Sequence, residues 1–259
     1  MRVMSWNVNS VRARLDHVMR VVESHAPDVL CLQETKVDNA RFPLKAFEGA
    51  GYVHHALNGQ KGHHGVAILS RMPITPETPR DWCAMGDARH AVAHVAGVTV
   101  HNFYVPAGGD EPDPAINPKF AHKLDFLSEM RHWAQDLTGP ALLVGDLNVA
   151  PLAEDVWSHK QLLKVVTHTP VETQALSDVQ VAHGFEDLVR RFRPAPEKLF
   201  SWWSYRARDW RASNRGRRLD HIWASPDLAG RATGFDLVQE TRDWDKPSDH
   251  IPLLVDLEP

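Results

Sequence analysis

Residues 141–148 read Ala-Leu-Leu-Val-Gly-Asp-Leu-Asn: four apolar residues run into a glycine, a carboxylate (Asp146) and, two positions on, an amide (Asn148). So short an apolar run is too brief for a helix and has the length of a buried strand. Comparable runs occur at 3–8, 28–32, 66–69, 91–95, 98–103, 219–224 and 251–255, with helical patterns between some of them. Between the first two, Val11, Leu15, Val18 and Val22 fall at helical spacing, Ser10 is the expected cap and Pro27 the expected stop. A second helix is expected over 118–137, with Phe120, Leu124, Leu127, Met130 and Trp133 on one side. Ala96-Gly97 between two alternating runs reads as a hairpin, so the sheets are expected to be mixed. With no solenoid-length repeat and no linker, residues 1–259 are read as a single domain of packed sheets with helices outside.

The composition excludes several classes. With 43% hydrophobic and 24% charged residues in 259, the chain is neither disordered nor fibrous, and it is long enough for a sizeable core. A net charge of −4 argues against a protein that coats nucleic acid non-specifically. The charge is uneven, however: over 190–220, nine Arg and Lys198 stand against Glu197, Asp209 and Asp220, a surplus of seven that suits a polyanionic partner. Cys31 and Cys83 alone make no disulfide framework and no thiolate zinc site, and Cys31 is expected in the core. No leader pattern and no membrane-length apolar stretch is found, so a cytoplasmic location is expected.

The polar residues that close the apolar runs carry the chemistry. Asn7 and Asn9 close the first run, Glu34 the second and Tyr104 a middle one; Asp146 and Asn148 close the next, Asp220 sits within another, and Asp249-His250 precedes the last. A single Asp or Asn after a strand is an ordinary turn residue. Six such placements in one chain point to a shared site at the strand ends. Hard oxygen ligands without thiolate suit Mg²⁺, with Mn²⁺ as substitute, and Glu34 with Asp249 or Asp146 are natural candidates. Such an ion lets an acidic pocket accept a phosphodiester. Asp220 would hold His250 in one tautomer and favour its protonated form, and Asp146, flanked by Asn7 and Asn148, would orient or deprotonate the attacking water.

Taken in order, Asn7-Val8-Asn9, Leu32-Gln33-Glu34-Thr35-Lys36, Gly145-Asp146-Leu147-Asn148, Arg218-Leu219-Asp220 and Ser248-Asp249-His250-Ile251-Pro252 resemble the signatures of the exonuclease III class of abasic-site endonucleases. That class belongs to the endonuclease/exonuclease/phosphatase superfamily with the DNase I-like fold. The resemblance implies an α/β fold, a four-layered α/β sandwich with two mixed β-sheets face to face and helices outside. It implies a Mg²⁺-dependent hydrolase that cleaves duplex DNA 5′ to abasic sites, with 3′–5′ exodeoxyribonuclease and 3′-phosphatase actions. By the same resemblance, metal binding falls on Glu34, with Asn9 where some members carry an acid, and Asp249 supports metal or leaving group; Asp146 and its partner Asn148 lie within that ligand sphere. Asp146 also takes the water-activating role, His250 and Asp220 the scissile phosphate, and Tyr104 and Asn7 keep phosphate and carboxylate in register.

The basic stretch supplies the DNA surface. Trp202, Trp203 and Tyr205 interleave with Arg206, Arg215 and Arg217, which suits a surface that opposes phosphates and offers an apolar pocket. Trp202 is expected against an extruded abasic sugar with Leu219 as second wall, while Trp203 and Tyr205 are expected to be structural. Arg89 and Lys61 are further candidates for DNA contact, and the pairs His63-His64 and His90 with His94 are read as surface or strand-face histidines. Three departures stand out: Ala107 where the family commonly has Asn or Gln, Asp110 near a strand-gripping Arg of some members, and Arg217 where animal relatives have Trp. The expected partner is double-stranded DNA with an abasic site or a 3′ end, met by a monomer with no membrane and no obligate protein partner. A phosphatase for inositol phosphates, lipid head groups or RNA tails, and a DNA-binding protein without catalysis, are the alternatives.

Overall fold

Strand β1 (Arg2–Asn7) buries both faces and sorts its side chains by parity. Val3 joins a cluster with Val29, Cys31, Ile68, Val100, Val144, Ile222 and Val255; Met4 and Trp6 join another with Leu30, Leu32, Val18 and Val22. One strand therefore serves two apolar layers, which is why Val3, Met4 and Trp6 place apolar side chains on both of its faces.

The computed structural model describes residues 1–207 and 209–259, in which two six-stranded mixed sheets lie face to face. Arg208 of the basic stretch lies outside the described residues. The first sheet runs β13 (Ala232–Leu237), β14 (Leu253–Leu257), β1, β2 (Val29–Gln33), β4 (Val66–Ser70) and β3 (His54–Asn58). The second runs β5 (Ile74–Pro76), β6 (His90–Val95), β7 (Val98–Tyr104), β8 (Ala141–Asp146), β12 (Asp220–Ala224) and β9 (Glu186–Asp187). A short ribbon pairs β10 (Trp202–Trp203) with β11 (Gly216–Arg217). Helix Leu15–His25 packs on the outer face of the first sheet. Helices Pro118–Gln135 and Pro170–His183 pack on the outer face of the second through Phe126, Leu127, Met130, Leu176 and Val179. The result is the helix–sheet–sheet–helix sandwich expected from the motifs. No helix among the described residues is long and apolar enough to cross a membrane.

Several local expectations are corrected. Ser10 does not cap the first helix, which begins at Leu15 with Arg14 in the cap position. After β1 the chain keeps pairing beside β2, with Val8, Ser10 and Val11 N–H groups donating to the carbonyls of Gln33, Glu34 and Thr35, and so cannot turn helical earlier. On the second helix, Leu124 is only half-buried and Phe126 is on the packed face. The last strand starts at Leu253, because Pro252 offers no N–H to a ladder and Ile251 donates instead to Ser201. Ala96-Gly97 makes the expected tight turn, both residues at positive φ.

Candidate active site

Register brings the acids together. Tyr104 lies opposite Asp146 across parallel β7 and β8, and Asp146 opposite Asp220 across antiparallel β8 and β12. Their parity is that of Val144 and Ile222, so all three face the other sheet at the point where the inter-sheet core ends. Asn7 ends β1 on the inward parity of Val3, and its Nδ2 donates to Asp146 Oδ2 at 2.8 Å and to Glu34 Oε1 at 2.9 Å, joining the two sheets through one amide. Gly145 makes the β7–β8 pairing beside Asp146 sterically feasible: its φ is +135°, and a Cβ there would lie 2.0 Å from the Phe103 carbonyl oxygen.

The backbone around the site is held in costly conformations. Asn9, Glu34, Lys36 and Asn148 all sit at positive φ without being glycine. Each such residue costs on the order of 1 kcal/mol, and a cluster of them is a pointer to function. For Glu34 the left-handed turn comes immediately after β2, so its carboxylate reaches Asn7 across the sheet rim, a placement no sequence pattern announces. Asn148 donates from its backbone N–H to Asp146 Oδ1 at 3.0 Å and from Nδ2 to the Val105 carbonyl at 2.9 Å.

His250 is 4% exposed and sits between two carboxylates, with Nδ1 2.8 Å from Asp220 Oδ2 and Nε2 3.6 Å from Asp146 Oδ2. Burial by itself lowers the imidazole pKa, but Asp220 and then Asp146 more than reverse this and lift it to about 10, so the ring is an imidazolium at neutral pH. Burial lifts Asp146 to about 7 against the pull of His250, which suits a group that must exchange a proton near neutrality. Burial also pushes Glu34 up, but Lys36 and Asn7 outweigh it and hold its carboxyl below the usual range. Burial, followed by Glu34 and Asp146, pushes Tyr104 well above its ordinary value, so it stays a neutral donor.

Residues that sequence reasoning left without a role complete the frame. Ser201 donates from Oγ to Asp220 Oδ2 at 2.6 Å and accepts the N–H groups of Leu219 and Asp220. Ser248 donates to the Asn7 carbonyl at 2.7 Å and accepts the His250 N–H, which is what the Ser in Ser-Asp-His contributes. Trp6 Nε1 donates to the His250 carbonyl at 3.1 Å. These contacts span up to 244 positions in sequence, and only the quoted motifs hinted at them.

Two places suit a cation. Ligand atoms of Asp146, Asp220 and His250 lie within 4.8 Å of one another, close enough to hold a metal ion. Asp220 Oδ1 there is buried without a partner among the described residues, although a protonated His250 already brings positive charge to this trio. Beside it, the Lys36 ammonium lies 2.8 Å from Glu34 Oε2 and also donates to Asn9 Oδ1, so a cation spans two oxygens drawn from different loops. Asn9 Nδ2 reaches Asp249 Oδ1 at 3.4 Å, and Asp249 Oδ2 accepts Trp202 Nε1 at 2.9 Å. The donors around Lys36 are hard oxygens, a set that fits Mg²⁺ or Mn²⁺.

The acids open into a cavity of about 880 Å³ that Trp202, Leu219, Arg206, Arg215 and Arg217 also line, as do Ala107 and Asp110. Arg89 and Lys61 are not among its lining residues. Arg89 is 7% exposed, bonded to Asp87 at 2.9 Å and stacked under the Tyr104 ring at 5.1 Å, so it braces Tyr104 from within. Lys61 is exposed in the loop before β4. Trp203 is buried, as expected, and Tyr205, 49% exposed, is a bridge between Asn9 and the Pro247 carbonyl. Of the histidines read as incidental, His90 is buried against His101, His94 pairs with Glu77, and His64 leans on Asp87 and Tyr104.

Residues 4–250 match the endonuclease/exonuclease/phosphatase family. The chain belongs to this family. It is 32% identical to exodeoxyribonuclease III of Haemophilus influenzae, with 98% of both proteins covered. Among solved structures it is similar to an AP endonuclease from Archaeoglobus fulgidus, at 33% identity with a TM-score of 0.93 over 100% of both chains. It is also similar, at 29% identity and a TM-score of 0.90 over 100% of both chains, to a 3′ phosphatase from Neisseria bound to a product DNA hairpin. This family member is therefore a hydrolase of the nuclease branch, and the acid cluster at the sheet rims is the part of it able to hold a metal.

Proposed function

We propose that this protein is a Mg²⁺-dependent DNA-repair nuclease that cuts the phosphodiester bond 5′ to an abasic site in duplex DNA, and that the same site removes nucleotides and phosphate from 3′ ends. The observation that carries this reading is the convergence of Glu34, Asp146 and His250 at one cavity, with Asn7 and Asp220 buried behind them, whose other wall is Trp202 and Leu219. Relatives named exodeoxyribonuclease III, AP endonuclease and 3′ phosphatase support the substrate class.

In this reading a phosphate enters against the imidazolium of His250, whose charge Asp220 maintains, and against the Tyr104 hydroxyl, a neutral donor. Asp146, with a pKa near 7 and its carboxylate aimed by Asn7 and by the Asn148 N–H, accepts a proton from the attacking water. Glu34 and Asn9, which share the Lys36 ammonium, would hold the metal together with Asp249, and Asp146 and Asn148 would belong to the same ligand set. The ion supplies charge neutralisation for the phosphodiester and the leaving oxygen. An abasic nucleotide is extruded at low cost, because it has no base to unstack, and its sugar meets Trp202 and Leu219. Arg206 and Arg215 meet backbone phosphates as exposed cations of the monomer's single domain.

The test is a duplex carrying one tetrahydrofuran abasic analogue, incubated with Mg²⁺ or with EDTA. Metal-dependent incision 5′ to the analogue supports the proposal. Binding without incision, or release of phosphate from small esters without DNA cleavage, refutes it in favour of a binding module or a small-ester phosphatase.

A further inference from the structure

Away from the acids, the cavity wall is largely apolar, built from Trp157, Leu162, Val166, Trp202 and Leu219. Arg206 and Arg215 line it as exposed cations, and a third, Arg217, is half-buried in it. Arg217 lies directly opposite Trp202 in the β10–β11 ribbon, and its guanidinium carbon is 5.2 Å from the Trp202 ring centroid. Nη1 donates to Thr167 Oγ1 at 2.7 Å and to the Val166 carbonyl at 3.0 Å, which spends both of its hydrogens. Nε and Nη2, the fork edge of the guanidinium, have no partner among the described residues.

The anchor is rigid. Both carboxylate oxygens of Glu172 accept the Thr167 N–H at 3.0 Å, and Glu172 is ion-paired with Lys123, both side chains being fully buried. A guanidinium so fixed and stacked on an indole, with three N–H groups open to the cavity beside apolar walls, is preorganised to donate to a ligand oxygen. Its placement beside Trp202 puts those donors next to the sugar pocket.

We propose that Arg217 is a specificity-determining residue that donates from its Nε–Nη2 edge to the oxygen an abasic deoxyribose carries at C1′, as hemiacetal hydroxyl or as aldehyde. This rests on the abasic-site reading above. A pocket that aims a fixed, half-buried donor at a substrate oxygen discriminates against the analogue lacking it, and tetrahydrofuran is such an analogue.

The experiment compares kcat/KM of the wild type on three otherwise identical duplexes carrying a natural abasic site, its borohydride-reduced C1′ alcohol, or tetrahydrofuran, scoring only products that end in a 3′-hydroxyl. Both oxygenated lesions are expected to be cut about tenfold or more better than tetrahydrofuran, the discrimination that a charged hydrogen bond supports. Arg217→Met should bring the ratio close to one, and Arg217→Lys, which lacks the fork, should recover only part of it. A wild-type ratio near one, or a ratio retained in folded Arg217→Met, overturns the assignment while leaving abasic incision intact. Should Arg217→Met fail to fold, Thr167→Val, which removes one anchor of the guanidinium, is read in its place, and an unchanged ratio there also overturns the assignment. Failure to cut any of the three duplexes sinks the abasic reading itself, a different result.

Discussion

Replacing Asp220 by Asn removes one charge from a fully buried position with almost no change of shape. In the native site Asp220, ahead of Asp146 and Asp249, is the largest of the carboxylate influences that hold His250 at about 10 against burial. Without it, burial is opposed chiefly by Asp146, and the imidazole pKa falls towards or below its ordinary 6.5. The protonated fraction at pH 7.5 then drops from nearly all to about one in ten or less, roughly a tenfold loss before geometry is considered. The Asn amide also fails to match the charge-assisted Nδ1–H to carboxylate bond of 2.8 Å, so the imidazolium, the form in which both ring nitrogens are donors, loses its main support. Loss of one preorganised donor to a developing anion costs about 10² to 10³ in rate, and we expect a fall of that size in single-turnover incision at saturating Mg²⁺. The direction with pH is set by the sign of the shift: a group whose pKa has dropped is recharged by acid, so the deficit should be smaller at pH 6 than at pH 8. Rates are measured across that range alongside NMR titration of His250. A deficit under about threefold at pH 8, or a His250 that still titrates near 10 in the variant, refutes the reasoning.

Other perturbations read separate parts of the molecule. Glu34→Gln should raise the Mg²⁺ concentration for half-maximal incision by about tenfold or more, whereas Asp220→Asn should move it far less; the reverse pattern would put the metal in the Asp146–Asp220–His250 trio. Burial raises the Asp155 pKa, but Arg218 and Arg190 overcome it and bring the carboxyl down to about 2 from 3.8. Because the folded value lies below the unfolded one, its contribution is present above about pH 4 and lost as pH falls through about 2, worth roughly 2 kcal/mol. Urea unfolding of wild type and Asp155→Asn between pH 2 and 6 should show the gap narrowing in acid, and a gap independent of pH would contradict this. Lys123→Met leaves Glu172 buried and uncompensated and should cost about 3 to 5 kcal/mol in urea unfolding, part of it recovered by adding Glu172→Gln. A single variant as stable as wild type would mean that the pair holds nothing together.

Much of the fold was legible because strands buried on both faces must be apolar along their whole length. The runs around Val3, Leu30, Ile68, Val100, Val144 and Ile222 all lie in observed strands, with Asn7 and Asp146 expected at the ends of two of them and Asp220 within another. Edge strands were not: His54–Asn58 and Ala232–Leu237 are half-buried and carry His, Asn and Asp, so their pattern does not separate them from loops. The start of the first helix was misplaced for a tertiary reason, since the ladder beside Gln33–Thr35 outcompetes the cap at Ser10. Arg89 was expected to reach outward for DNA and instead supports Tyr104, because Asp87 and the carbonyl of Tyr104 claim its donors.

The amino-acid order alone determined which residue types the site contains and that they come after buried strands, since apolar periodicity and the polar residues that interrupt it are local properties. Their meeting was decided elsewhere. The Asp146–Asp220 and Tyr104–Asp146 registers, the left-handed turn that swings Glu34 towards Asn7, and the burial and carboxylate contacts that raise the pKa values of Asp146 and His250 all depend on two sheets closing over a dry interior. Burial and cross-sheet distance are properties of that packing, and no stretch of chain carries them by itself.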